Sequence, residues 1–201
     1  MKKNVVIIED DFSLANMMKE NINQLEDYSC TTLFVNPLEF FASPIDSDLI
    51  LLDLMLPEMN GIDAIPKIHE IFPNASIIVN SIKDDTDTIF RAIQLGAVGY
   101  IDKQSFMLNF LEVFECVQNE GAYMTPKIAK KIFNHFQKQK GITSKLSSRE
   151  LQIVNGILEG LSYKMVSDKF GISLDTVRFH IKTIYRKLEI NSKSELFKMF
   201  K

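Results

Sequence analysis

Cysteine is nearly absent from this sequence: Cys30 and Cys116 are the only two, far apart and without metal-ligand spacing. That excludes a disulfide framework and a cysteine zinc centre, and it fits two reduced thiols in a cytoplasmic protein. Histidine is as sparse. His69, His135 and His180 are scattered along the chain, which supports neither a zinc site nor a histidine-based triad. Gly61, Gly96 and Gly99 do not form a nucleotide-binding glycine loop. No apolar run approaches the roughly 18 residues of a membrane span, so no membrane partner is expected. Met1-Lys2-Lys3 and the short run Val5–Ile8 lead straight into acidic residues with no small-residue cleavage site, so no signal peptide is expected. There is no internal repeat and no low-complexity tract.

What is present divides unevenly. Hydrophobic residues make up 46% of 201 positions, enough for two modest cores rather than one large one. The net charge of −3 hides an asymmetry. Residues 1–121 carry 7 Lys and Arg against 20 Asp and Glu; residues 122–144 carry 5 against none; residues 145–201 carry 11 against 6. An acidic front half suits a divalent cation, and a basic back end suits a polyanion.

Residues 1–121 alternate short apolar runs with helical periodicity. The runs are Val5–Ile8, Cys30–Val35 (the weakest), Leu49–Leu52, Ser76–Val79 and Ala97–Ile101, and helix-like stretches cover Ser13–Leu25, Pro37–Phe41, Ile62–Phe72, Asp84–Leu95 and Ser105–Asn119. Five strands each followed by a helix predict an α/β fold, a doubly wound parallel sheet of five strands. Leu49-Ile50-Leu51-Leu52 is apolar at every position, as a strand covered on both sides requires. Pro126–Lys140 reads as a basic amphipathic helix with Ile128, Ile132 and Phe136 on one face, and Gly141–Ser144 as a linker. Residues 145–201 read as four short helices, opened by capping residues at Ser147, Ser162, Ser173 and Ser192 and closed in turn by Gly160 and Gly171.

In an open parallel sheet the functional site lies at the carboxyl ends of the strands. Here the first strand ends in Glu9-Asp10-Asp11, the third in Asp53, the fourth in Ser81, and the fifth leads into Lys103. Clustered carboxylates repel one another, and a hard cation such as Mg²⁺ relieves that repulsion. A carboxylate beside Mg²⁺ can accept a phosphoryl group while the metal and an ammonium neutralise the developing charge. The chemistry points to a phospho-acceptor site with Asp53 as nucleophile. Asp11, Asp84, Asp85 and Asp87 are expected only to start helices. A metal-dependent phosphatase of the haloacid-dehalogenase type usually needs a second aspartate two residues after the nucleophile. That position is Met55, so efficient phosphohydrolysis is not expected and the protein is not read as an enzyme.

Three segments carry a resemblance: Val5–Asp11, Leu51-Leu52-Asp53-Leu54-Met55-Leu56-Pro57-Glu58-Met59-Asn60-Gly61, and Gly96–Lys103. Over about residues 1–120 the chain resembles the receiver (flavodoxin-like) domain of response regulators. The resemblance implies that Glu9 and Asp10 hold Mg²⁺, together with Asp53 and the backbone carbonyl of Met55, and that Asp53 is phosphorylated by a sensor histidine kinase or a small acyl phosphate. It further implies that Ser81 and Tyr100 report the change and that Lys103 pairs with the phosphoryl group. One departure stands out. Ser81 is followed by Ile82, where the family usually has a small residue, and a branched side chain there is expected to bear on the phosphoryl pocket or the switch.

The back end carries a helix-turn-helix pattern, Ser162–Phe170, Gly171-Ile172 and Ser173–Leu188. Met165, Val166 and Phe170 are expected inside on the first helix, and Val177, Ile181, Ile184 and Leu188 on the second. The second helix is expected to project Arg178, Lys182, Arg186 and Lys187. The segments Leu146–Glu150, Gly160–Lys164, Thr176-Val177-Arg178 and Arg186-Lys187-Leu188 resemble the LuxR-type helix-turn-helix, and with the receiver the whole resembles the NarL/FixJ family. That resemblance implies contacts to double-stranded DNA through Arg178, Phe179 and Lys182, with Lys164, Thr176 and Lys193 on the backbone, and a homodimer on activation. Phe179 reads equally as packing; Arg149 and Glu150 read as structural. The expected organisation is thus a receiver at 1–121, a basic helical linker at 122–144 and a DNA-binding domain at 145–201. A second reading keeps the fold and DNA binding but has the receiver controlled by a partner or ligand instead of phosphorylation.

Overall fold

A computed structural model describes residues 2–103 and 110–200, of which 138–140 by backbone alone. It divides into two compact units, Met1–Ile132 and Phe133–Lys201.

The first unit runs β1 (Lys3–Ile8), α1 (Phe12–Asn23), β2 (Tyr28–Ser29), β3 (Leu33–Phe34), α2 (Pro37–Ala42), β4 (Leu49–Leu52), α3 (Gly61–Ile71), β5 (Ser76–Ser81), α4 (Thr86–Gln94), β6 (Gly99–Asp102), α5 (Phe110–Glu120), β7 (Tyr123–Met124) and the start of α6 (Pro126–Thr143). Every strand pairing is parallel, in the order β2-β1-β4-β5-β6-β7, with β3 also beside β1. Helices cover both faces. Val6, Ile50, Leu52, Ile77, Val79 and Tyr100 pack to one side, against α2, α3 and α4. Val5, Ile7, Leu49, Leu51, Ile78 and Ile101 pack to the other, against α1 and α5. The two-residue alternation of a strand sends neighbours to opposite cores, which is why β4 has no polar position.

Three features differ from the sequence reading. The second strand is broken into β2 and β3, and between them the side chain of Asn23 takes both backbone groups of Cys30 (2.8 and 3.0 Å). An additional strand, β7, extends the sheet: Tyr123 pairs with Gly99 and Met124 with Tyr100. Because β7 ties the chain to this edge of the sheet, α6 begins inside the first unit. Thr125 donates its N–H to the Tyr100 carbonyl, and Ile128 is fully buried with the α3–α4 core. The division between units therefore falls within residues 122–144, and Gly141–Thr143, read as linker, completes the helix. The first five residues of the helix expected over Ser105–Asn119 lie outside the described residues; α5 is described from Phe110.

The second unit is α7 (Ser148–Leu158), α8 (Tyr163–Phe170), α9 (Leu174–Leu188) and α10 (Lys193–Phe200) around Ile153, Val154, Ile157, Val166, Val177, Ile181, Ile184, Leu188 and Leu196. Ser147 and Glu150 form a reciprocal capping box at α7. Buried Glu150 also accepts from Lys187 of α9 at 2.7 Å. Burial works to raise its pKa, but the Lys187 and Ser147 hydrogen bonds prevail and hold it below its ordinary 4.5. Arg149 donates to the Phe170 carbonyl and stacks over its ring. Between α8 and α9, Gly171 takes the left-handed conformation that closes the turn (φ +62°).

Two variants probe the stability of this second unit. Glu189 ends α9 in a left-handed conformation (φ 57°) that disfavours a side chain. Glu189→Gly is expected to stabilise the second unit by about 1 kcal/mol, read as a higher urea midpoint. Glu150, with a folded-state pKa lowered, lends stability above pH 4.5 that is lost as pH falls through its folded value. In acid-unfolding titrations, Glu150→Gln is expected to flatten that loss while lowering stability at neutral pH.

Candidate functional site

The carboxyl ends of β1, β4, β5 and β6 meet in one bowl. Glu9 follows β1 directly, and its N–H donates to the Phe34 carbonyl. Asp53 follows β4; its N–H donates to the Ile8 carbonyl (3.0 Å), and its Oδ1 accepts from the Leu54 N–H (2.6 Å). Both are almost wholly buried, and Asp10 beside them is exposed. Glu9, Asp10 and Asp53 offer carboxylate oxygens within 4.8 Å of one another. Lys103 enters after β6, its N–H held by the Ser81 carbonyl at 3.1 Å. Its Nζ lies 2.8 Å from Asp53 Oδ2 and 2.8 Å from Glu9 Oε2, with Glu9 Oε1 at 2.9 Å.

Burial raises the Glu9 pKa above its ordinary 4.5, against the pull of Lys103. For Lys103, burial alone would lower the pKa, but hydrogen bonds to Asp53 and Glu9 overcome it and leave the ammonium more firmly charged. Among the described residues, one cation thus serves two buried carboxylates and none pairs with Asp10. Hard oxygen donors at this separation, with unbalanced negative charge, fit a divalent cation such as Mg²⁺.

Ser81, at the end of β5, is fully buried, and its Oγ accepts from the Lys83 N–H at 3.4 Å. Tyr100 is also fully buried and donates its hydroxyl to the Lys83 carbonyl at 2.5 Å. Ser81 and Tyr100 therefore grip the same short segment from its two sides. Ile82, the departure noted in the sequence, is 60% exposed, and Met55 is 49% exposed in the loop after β4. Neither side chain is packed into the bowl. Asp11 and Asp85 are the N-caps of α1 and α4, as expected. Asp84 is more than a helix-start residue, since Lys127 and Lys131 both pair with it.

The loop after β4 is shaped by two backbone features. Glu58 adopts φ 64°, and Gly61 lies so close that a Cβ would stand 2.0 Å from the Asp53 carbonyl oxygen. Asn60 caps α3 by accepting from the Ile62 N–H.

In the second unit, α9 buries Val177, Ile181, Ile184 and Leu188 and leaves Arg178, Phe179, Lys182 and Arg186 exposed. Phe179 is 68% exposed, so it is not packing. Lys164 and Lys193 are exposed as well, the latter over the Phe197 ring. Thr176 is half-buried and bonded to Ser173 in the cap of α9. Lys187 is exposed as expected and also reaches back to pair with buried Glu150. One expectation is corrected: Met165 is outward at 53% exposure while Val166 fills the core.

The chain matches the response regulator receiver domain over residues 5–114 and the luxR family of bacterial regulatory proteins over residues 144–200. The first match alone spans more than half of the chain. This protein is a DNA-binding two-component response regulator. It is 30% identical over 158 residues to the transcriptional regulatory protein YdfI of Bacillus subtilis, covering 77% of this chain and 73% of that one. It is 28% identical over 199 residues to the nitrate/nitrite response regulator NarL of Escherichia coli, covering 95% and 91%. Its fold matches the RcsB response regulator of Salmonella typhimurium with a TM-score of 0.65 at 20% identity, over 98% and 97% of the two chains.

Gly61→Ala tests the packing of the response regulator's β4–α3 loop. Backbone cannot yield to a 2.0 Å contact as a side chain can. The variant is expected to lose about 1–3 kcal/mol of stability in the first unit, read by urea unfolding.

Proposed function

We propose that Asp53 is the phospho-acceptor of this regulator and that its phosphorylation controls dimerisation and DNA binding in the cytoplasm. The reading rests on one observation above all: Glu9 and Asp10, Asp53, and Lys103, from three strand ends, converge with Glu9 and Asp53 nearly buried. A sensor histidine kinase is the expected donor, with a small acyl phosphate as substitute. An Asp53 carboxylate oxygen attacks the phosphorus, the bond from phosphorus to the donor's imidazole nitrogen (or acyl oxygen) breaks, and the leaving group departs with its electron pair. Lys103 holds Asp53 oriented and pairs with the incoming phosphoryl oxygens. Glu9, Asp10, Asp53 and the Met55 carbonyl are the groups that would hold Mg²⁺. When bound, the ion supplies charge neutralisation for the transferring group. Ser81 would turn its hydroxyl to a phosphoryl oxygen and release Lys83, and Tyr100 follows through its bond to the same residue. With Met55 in place of a general acid, self-dephosphorylation is at most slow.

On the DNA side, α9 enters the major groove, with Arg178, Phe179 and Lys182 toward bases and phosphates and Lys164, Thr176 and Lys193 toward the backbone. Two half-sites then suit a dimer.

Labelling with acetyl phosphate and Mg²⁺, read by intact mass, is expected to add one phosphoryl group to the wild type and none to Asp53→Ala. If neither labels and a kinase fails as well, control by partner binding takes the place of this mechanism. Lys182→Ala is expected to weaken DNA binding and reduce the salt slope by about 1, with labelling unchanged; equal loss of both would mean misfolding.

A further inference from the structure

The first half of α6 is bound to the receiver by an ionic clamp that sequence patterning did not disclose. Lys127 Nζ lies 2.7 Å from Asp102 Oδ2 and 3.0 Å from Asp84 Oδ2. Lys131 Nζ, one turn further on, lies 2.7 Å from Asp84 Oδ1 and donates to the Asp84 carbonyl at 2.8 Å. Ile128 between them is fully buried, and Ile132 packs against the same core as Tyr100.

The two aspartates occupy mechanically different places. Asp102 is at the end of β6, paired in register with Ser81, and nearly buried. Tyr100 and Asp102, two residues apart, share the face of β6 that looks toward α6, while Ile101 joins the opposite core. Asp84 is on the loop between β5 and α4, three residues after Ser81. The segment before it is gripped by Ser81 Oγ at the Lys83 N–H and by the Tyr100 hydroxyl at the Lys83 carbonyl. Whatever draws Ser81 toward the phosphoryl group gives up the first of these bonds. Asp84, the next residue, then moves relative to Asp102. Lys127, which holds both, cannot keep both distances.

We propose that Lys127 and Lys131 make residues 125–132 a latch on the receiver, and that phosphorylation of Asp53 loosens it through Asp84. This rests on the phospho-acceptor reading above. The latch gives the switch a mechanical output at the residues where the chain leaves the receiver, and it does so through the pairing partner of β6.

The test is amide hydrogen exchange on the full chain, with and without acetyl phosphate and Mg²⁺, following peptides over residues 123–132 and over β4. In the wild type, phosphorylation is expected to speed exchange in 125–132 several-fold and leave β4 unchanged. Asp84→Asn is expected to show the faster exchange without phosphorylation, to take the label on Asp53 normally, and to gain little further on labelling. Lys131→Gln, which leaves the loop's own residues intact, is expected to do the same and decides the matter if Asp84→Asn loosens β4 as well. Full labelling with no change in 125–132, or variants whose exchange there equals the wild type's, overturns the latch and leaves the phospho-acceptor reading standing. If the wild type takes no label, both fall together.

Discussion

Two buried carboxylates that share a single ammonium set the conditions for the rest of the receiver. Glu9 and Asp53 sit side by side at the ends of β1 and β4, both nearly buried, and burial raises the pKa of Glu9. Lys103 makes the arrangement tolerable by standing within 3 Å of both. The ammonium arrives from β6, two strands away from β4, so the sheet must bring three separate strand ends to one point. A parallel, doubly wound sheet does this by topology, since all its strands end on the same edge. The residual negative charge on Asp10 keeps the bowl attractive to a cation without requiring further change in fold.

Holding Asp53 in place also constrains the chain after it. Leu54 must donate to the Asp53 carboxylate, Gly61 must pass the Asp53 carbonyl without a side chain, and Glu58 takes a left-handed conformation to make the turn. Non-glycine residues in that region store strain that surrounding structure has to hold. Here the holder is α3, whose N-cap, Asn60, immediately precedes Gly61. The same economy of charge recurs in the second unit, where Glu150 is buried against Lys187 and fixes α7 to α9. In both units a buried acid with one basic partner joins elements distant in sequence.

The residues at the strand ends were legible in the sequence because two independent signals coincide there. Uninterrupted apolar runs mark strands covered on both faces, and the polar residues that stop them are the site. Glu9 and Asp53 stop their runs directly, and Ser81 and Lys103 follow one residue after the stop. Lys127, Lys131 and Asp84 could not. Lysines on an amphipathic helix look alike whether solvated or paired, and only the short strand β7, two residues long and without a period to detect, brings α6 to β6. Lys187 failed to reveal itself for the same reason: its partner Glu150 is 37 residues away and already looks satisfied as a capping residue. Met165 and Val166 are adjacent, and apolarity alone does not decide which of two neighbours faces the core. Periodicity reports a face, and pairing between faces is information that only the tertiary structure holds.

Ile82 shows how such a departure is absorbed. A branched side chain beside Ser81 raises the question of whether the bowl is filled. Side chains alternate at the end of β5, so the two neighbours cannot point the same way. Ser81 is turned inward with no exposed surface, and Ile82 is turned outward, 60% exposed. The bulk of Ile82 therefore lies outside the bowl, in which Lys103 meets Asp53 and Glu9.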